Sequence, residues 1–365
     1  MKWDVVFEPQ IDIGQLYLQL IELVSFVHGI SAIPLPPRLR ENLDTLNILR
    51  AIKGTTGLEG NTVSDERLAE ILKEPTDQEY EDVEEQEIRN ADNVLRFIRE
   101  MKQDPKALIT EELIKKIHKL TTENCNYPDN IPGEYRTDDV YVGTYFFPDH
   151  EKVPGLMKTF VEFINSKDIA EYPAPIRAIM AHFYLVSIHP FQDGNGRTAR
   201  GVEAYILYQG QLNALGFYSL ANYYYSHRKE YIAELQDARF KHNGRLTPFM
   251  RFSLNGFIEE LKKVRLELNA YIVRLTYRDY VHELLVDKKI NSRIAAILDR
   301  ISKSARIISL EEFKAGLIPG IKNPYKDKTE RTAYNDLKQM EKLQLVTVQD
   351  KNIYPNFSLM DKFQI

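Results

Sequence analysis

Cysteine is almost missing: the 365-residue chain has one, Cys125, so no disulfide can form within it and the composition fits a reducing compartment. Glycine and proline are also sparse, 17 of each, which leaves little room for long unstructured linkers. Net charge is slight, at -5, so no overall field draws the chain to nucleic acid, polyanion or membrane, and a charged partner has to be met by a local patch. The N-terminal stretch MKWDVVFEPQ has neither the basic start nor the apolar core of a secretory signal, and no later run approaches the apolar length of a membrane span. The expectation is a cytoplasmic protein that does not contact membrane. With 43% hydrophobic residues, the chain has material for two or three domains with proper cores.

What is there is helical periodicity, and the fold class expected is mainly α. Residues 15–26 and 37–52 read as helices, followed by the polar stretch TTGLEGNTVSDE. The run EPTDQEYEDVEEQE, residues 74–87, holds eight acids and reads as a solvated loop or exposed helix face. Helices follow at 86–102 and 110–122. In DDVYVGTYFFPDH, residues 138–150, β-branched and aromatic residues around a glycine predict a hairpin. A helix at 175–188, entered through Pro173 and Pro175 and striped by Ile176, Ile179, Met180, Phe183 and Tyr184, leads straight into IHPFQDGNGRTARG. A further helix at 197–209 makes this stretch a tight polar loop between two helices.

Such a loop has a definite chemical use. Gly194 and Gly196 let the backbone approach a ligand, and the amides that open the next helix point at whatever sits there, a nest suited to phosphate. Arg197 and Arg200 are three apart on one side of the first turn, so both forks can reach an extended polyphosphate. Asp193, amid positive charge and phosphate, suits a Mg²⁺ ligand, because that ion is held by few protein groups when it bridges phosphate oxygens. His189, at the end of the preceding helix, suits a general base. Singly each is ordinary, since an Asp before Gly is commonly a turn and a lone His is commonly structural. Together they suit phosphoryl or nucleotidyl transfer onto a hydroxyl.

The stretch meets all nine specified positions of HPFx[DE]GNGRxxR, and with them it resembles the signature of the Fic family. The resemblance implies a Fic-type helical core with the motif between two helices, and transfer of AMP from ATP to a Ser, Thr or Tyr hydroxyl of a target protein, which can be the enzyme itself. By the resemblance, His189 takes the hydroxyl proton and Asp193 holds Mg²⁺ against the α and β phosphates. Asn195 with the amides of Gly194 and Gly196 cradles the α phosphate, Arg197 and Arg200 hold the β and γ groups, and Thr198 and Ala199 complete the nucleotide-binding turn. Phe191 reads as a core anchor. Relatives that transfer a phosphate or a phosphocholine depart from the motif or bind their nucleotide reversed, so the intact form favours AMP. The hairpin resembles the family's flap, which clamps a target by strand addition, with Val142, Gly143, Thr144 and Tyr145 bordering the nucleotide. The segment SHRKEYIAELQDAR resembles the adenine wall and places Tyr231 and Ile232 against the base; plain core packing competes for Tyr231. At Arg239 many relatives carry Asn.

TTGLEGN, Thr55 to Asn61, matches the family's inhibitory element [ST]xxxE[GN]. The resemblance implies that Glu59 pairs with Arg200, which then cannot hold the γ phosphate. The same carboxylate could instead orient a water and remove AMP from a modified protein, so a hydrolase at this site is the first alternative. A nucleotide-sensing, DNA-binding regulator is the second.

The division expected is an N-terminal helical region carrying the inhibitory motif at 1–100, a catalytic domain at 101–287 and a third domain at 288–365. From Lys288 to Val346 there are 13 basic and seven acidic residues, reversing the overall sign. KTERTAYNDLKQMEKLQLVTV reads as a helix with Ala333, Leu337 and Met340 inward, then a β-ribbon, and looks like the recognition helix and wing of a winged helix-turn-helix. Arg331, Asn335 and Lys338 would be exposed. Domain packing or a homodimer contact is favoured over DNA binding.

Overall fold

The structure, a computed structural model, describes residues 3–143, 145–212, 220–242, 244–304 and 306–363. Two compact units emerge, Met1–Val264 and Arg265–Ile365. The first opens with α1 (Tyr17–Ser31), α2 (Pro37–Leu58), α3 (Asp65–Ile71), α4 (Val83–Glu100) and α5 (Glu111–Thr122). Side-chain oxygens of Ser64, Asp82 and Thr110 accept from the amides of Arg67, Glu85 and Leu113 and so start α3, α4 and α5. The expected hairpin is present as β1 (Tyr141–Val142) paired antiparallel with β2 (Tyr145–Phe146). After it come α6 (Val153–Ile164), α7 (Lys167–Ala170), α8 (Ala174–Ile188), α9 (Asn195–Gln209), α10 (Leu220–Ser226), α11 (Arg228–Phe240) and α12 (Thr247–Val286).

The helix at the centre is α8. Ile176, Ile179, Met180, Phe183 and Tyr184 are at most 1% exposed, and burial runs round the whole helix, so the apolar stripe belongs to a core helix rather than a half-wet one. Packed against it is α9, which puts the loop between them on a rigid support. Where the sequence suggested that α2 stops near 52, it runs on to Leu58. Threonine and glycine in TTGLEG are weak helix formers, but α2 packs tightly on α10, and that contact overrides propensity.

One expectation is corrected near the N terminus. Ile13–Ser31, 19 residues with mean hydropathy 1.3, is by length and composition long and apolar enough to cross a bilayer. Gln15, Gln19 and Glu22 interrupt the run, which is why it reads as short. Leu16, Leu23, Val27 and Ile30 are buried in the unit, and Glu22 pairs with Lys262 at 2.8 Å.

In the second unit α13 (Ser292–Lys303), β3 (Ile308–Ser309), α14 (Leu310–Lys314), α15 (Glu330–Lys342), β4 (Val346–Gln349) and β5 (Asn352–Pro355) follow in order, and the strands form an antiparallel sheet β3-β5-β4. Ala333, Leu337 and Met340 do point inward, at 0%, 4% and 0% exposure, into a core with Tyr277, Ile294, Ile297 and Phe313. Two residues long, β3 is too short to carry an alternating pattern, so the sequence revealed only the β4–β5 ribbon.

The contact between α2 and α10 needs a glycine: a Cβ on Gly54 would come within 2.5 Å of the Asn222 amide nitrogen and 2.6 Å of the Ala221 carbonyl carbon. Backbone cannot yield as a flexible side chain can. Gly54→Ala is therefore expected to destabilise the first unit by about 1–3 kcal/mol, read as a lower urea midpoint; an unchanged midpoint would show that the two helices are not held this closely.

Candidate active site

The loop is built by conformations that only some residues tolerate. His189 ends α8 in the left-handed region at φ 53°, and Gly194 precedes α9 at φ 71°. A Cβ on Gly194 would also lie 2.6 Å from Thr122 Cγ2, so glycine is required there twice over. Between these turns the loop is tied internally. The Asn195 side chain accepts from the Phe191 amide at 2.9 Å and donates to the Phe191 carbonyl at 2.8 Å. Phe191 is fully buried and stacks on His118, centroids 3.7 Å apart. His118 receives the Gly133 amide at Nδ1 (2.9 Å) and faces the Asp193 carbonyl with Nε2 (3.0 Å). That pattern requires the neutral Nε2–H tautomer, and burial pushes its pKa down to about 4. Phe191 is thus the anchor expected, and His118 is its unforeseen support.

His189 itself is oriented from three sides. Its Nδ1 lies 3.3 Å from the Val186 carbonyl, its ring stacks on Phe147 at 3.8 Å, and its carbonyl accepts from Arg136 Nε at 2.8 Å. With Nδ1–H turned to Val186, Nε2 keeps its lone pair for a substrate proton. Burial, with help from the cations Arg239 and Arg136, pushes the His189 pKa down to about 3. The imidazole is therefore neutral, as a base must be, throughout the physiological range. Arg136, buried, also donates to the Asp138 carbonyl at 2.8 Å and to that of Pro148, fastening the hairpin's base to the loop between α8 and α9.

Beyond Gly194, the α9 amides of Asn195, Gly196 and Arg197 open the helix. The amide of Thr198 is already committed to the Gly194 carbonyl at 2.9 Å, and Thr198 and Ala199 are buried at 2% and 0%. These two residues are buried in the first turns of the helix, and the Asn195 side chain ties the loop through Phe191. Asp193 stands at the rim with 48% of its side chain exposed, 3.2 Å from Arg197 Nη2. Among the described residues no cluster of three or more His, Cys, Asp or Glu could hold a metal. A lone, exposed carboxylate fits a cation that takes its other ligands from phosphate and water.

The two arginines are already occupied. Arg200, 5% exposed, donates from Nε to Thr55 Oγ1 (2.9 Å), and from Nη2 to the Thr55 carbonyl (2.9 Å) and Glu59 Oε1 (2.6 Å). Thr55 and Glu59 are four apart, one helical turn, so α2 presents both to one guanidinium. Burial alone would raise the Glu59 pKa, but the charges of Arg200 and Arg197 prevail and hold the carboxyl below its ordinary value. A methyl built on Gly196 would strike Glu59 Oε1: the carboxylate lies against the first turn of α9, on the flank that carries Gly196 and Arg200.

Beside it is a cavity of about 240 Å³ whose lining includes Glu59, His189, Gly196 and Arg200, with Val142, Tyr145, Tyr231 and Ile232. The cavity thus brings His189, Gly196 and Arg200 together with Val142, Tyr145, Tyr231 and Ile232, while Asp193, Gly194, Asn195, Arg197, Thr198 and Ala199 are not in its lining; Gly143 is the exposed hairpin turn, at φ 60°, and Thr144 lies outside the described residues. Tyr231 is buried and bonds His182 at 2.9 Å through its hydroxyl, so it serves core and cavity at once. Arg239 also lines the cavity, bonded to Ser187 Oγ at 3.0 Å and set over the Tyr145 ring at 4.9 Å.

Residues 108–207 match the model of the Fic/DOC family. That segment runs from just before α5 almost to the end of α9, includes the whole loop and is similar to the Fic domain. Over 206 residues the chain is 32% identical to the "Protein adenylyltransferase Fic" of Aedes aegypti, a match covering 56% of this chain and 39% of that relative. It is 32% identical over 151 residues to the protein of the same name from Drosophila erecta, covering 40% and 29%. The chain therefore spans well under half the length of the curated relatives it matches. A crystal structure of a Fic family protein from Desulfovibrio desulfuricans G20 has the same fold over 96% of this chain and 98% of that one, at TM-score 0.57 and 19% identity. Fic-1 (residues 134–508) from C. elegans gives 0.55 and 23% over 69% of this chain.

Because His189 is held neutral, its ring NMR signals are expected to show no protonation step between pH 8 and pH 5. A midpoint near the ordinary imidazole value of about 6.5 would contradict the buried, cation-flanked setting.

Proposed function

We propose that the protein is an adenylyltransferase that moves AMP from ATP to a Ser, Thr or Tyr hydroxyl of a target protein, releasing pyrophosphate, and that Glu59 restrains it. What carries the reading is the 2.6 Å bond from Arg200 to Glu59, made beside the first turn of α9 at Gly196. The relatives' printed names support the reaction.

In this reading ATP lies in the cavity, its base toward Tyr231 and Ile232, its α phosphate at the amides of Asn195 and Gly196. His189 Nε2 takes the proton of the incoming hydroxyl as that oxygen bonds to the α phosphorus and the bond to pyrophosphate breaks. Charge grows on the departing group, where Arg197 and Arg200 stand. Asp193 would hold Mg²⁺, which when bound supplies further charge stabilisation on the phosphates. While Thr55 and Glu59 hold Arg200, the γ phosphate lacks its partner and transfer is slow. The hairpin acts as a flap beside His189, its exposed residues Tyr141, Val142 and Phe146 offered to the target's backbone.

The second unit suits a winged helix. Arg331 and Asn335 are exposed, but Lys338 is paired with Glu341 at 3.0 Å and sits by the exposed Tyr334 ring. A face whose lysine is so engaged and which presents an aromatic ring suits a protein contact, within a homodimer or otherwise, better than DNA.

Charged hydrogen bonds contribute about 1.5–3 kcal/mol, so Glu59→Gly is expected to raise AMP transfer from labelled ATP by about 10- to 100-fold. Adding His189→Ala should abolish transfer while ATP binding, measured by calorimetry, survives. Labelling that Glu59→Gly leaves unchanged would sink the restraint. Transfer that persists without His189 would sink the assignment of the base. If the native chain instead strips AMP from a labelled protein and Glu59→Gly abolishes that, the site works as a hydrolase.

A further inference from the structure

Glu87 belongs to the acidic run that the sequence presents as solvated, yet it is 9% exposed and both its oxygens are committed. Oε1 accepts from Arg197 Nη1 at 2.8 Å and from the Tyr127 hydroxyl; Oε2 accepts from Asn61 Nδ2 at 2.9 Å. Tyr127 in turn accepts from Arg197 Nη1 at 2.7 Å, and its ring lies 5.1 Å from the guanidinium carbon. Arg197 is thereby gripped from behind through Nη1, while Nη2 reaches Asp193. Burial would lower the Arg197 pKa, but Glu87, Tyr127 and Glu59 together outweigh it and hold the guanidinium above its ordinary value.

Asn61 closes the same short segment that carries Thr55 and Glu59. Its amide nitrogen also donates to the Glu84 carbonyl at 2.8 Å, and its Oδ1 accepts from Val63 at 3.2 Å. One segment therefore touches both arginines of the loop: Arg200 directly, and Arg197 through Glu87.

We propose that Glu87, braced by Tyr127 and Asn61, is a positioning residue for Arg197, and that it makes the first arginine's placement depend on the segment that restrains the second. The inference rests on the adenylyltransferase reading for the role of Arg197, but its contacts stand apart from Glu59. A carboxylate is needed because it is donated to on both sides. The amide of a glutamine could accept from Arg197 or from Asn61, not from both, since its nitrogen would face a donor. Arg197 would then keep its charge and lose its fixed direction, and an arginine that stabilises a departing pyrophosphate is effective only when aimed beforehand.

The test is a double-mutant cycle in the full chain carrying Glu59→Gly. Glu87→Gln is expected to lower kcat by about tenfold or more while KM for ATP moves less than about threefold, and to cost less than about twofold where Arg197 is already Lys. An unchanged kcat, or equal losses in both backgrounds, overturns the proposal, because a merely structural ion pair would act regardless of what Arg197 does. Tyr127→Phe, which removes one hydroxyl, carries the decision if Glu87→Gln does not fold: a loss of about threefold that vanishes with Arg197→Lys supports positioning, and no loss refutes it. If the Glu59→Gly parent transfers nothing, the adenylyltransferase reading fails by itself. Positioning is then read from the ratio of ATP to AMP affinity, expected to shift by about threefold or more with Glu87→Gln only while Arg197 is present; no shift overturns it.

Discussion

The structure turns on one guanidinium. Arg200 stands in the N-terminal part of α9, the end of a helix that favours an anion, and the anion paired with it is the chain's own Glu59. A charge this buried has to be paired. In the proposed reading that guanidinium is paired by the carboxylate or by a phosphate, not by both. The surroundings hold that pair in place: α8 and α9 fix the loop, α2 delivers Thr55 and Glu59 one turn apart, and Gly196 leaves room for the carboxylate beside Arg200.

The imidazole is prepared in the complementary way. It is set in a left-handed turn, flanked by cations and stacked on Phe147, so its proton is driven off and its Nε2 is left to accept. Base and anion cup thus come from the two ends of one short loop, and hairpin and loop are fastened together by Arg136.

How much of this was legible follows from where the information lies in the chain. His189 to Arg200 are contiguous, so a single stretch encodes both the loop and its helix, and the site could be read from spacing. Glu59 was legible through its family element, and Thr55 had a signal in that element's first position that the sequence reading left unused. Glu87 was hidden: eight acids within residues 74–87 say nothing about which one meets an arginine 110 residues away. His118 and Arg136 were hidden for the same reason, since their partners Asp193 and His189 lie 75 and 53 residues off. That the Asn195 side chain is bonded to Phe191 was hidden too, because its place in the motif does not reveal its partner. The end of α2 was misread because its composition is that of a loop, and only packing on α10 makes it helical.

The most direct measurement is the difference in affinity between ATP and ADP, which differ only in the phosphate that Arg200 would receive. Calorimetry on the native chain should give nearly equal affinities, whereas with Glu59→Gln, which keeps the shape and removes the charge, ATP should bind more tightly than ADP by about fivefold or more, roughly 1 kcal/mol. A native chain that already prefers ATP, or a Glu59→Gln chain that still does not, would contradict the account.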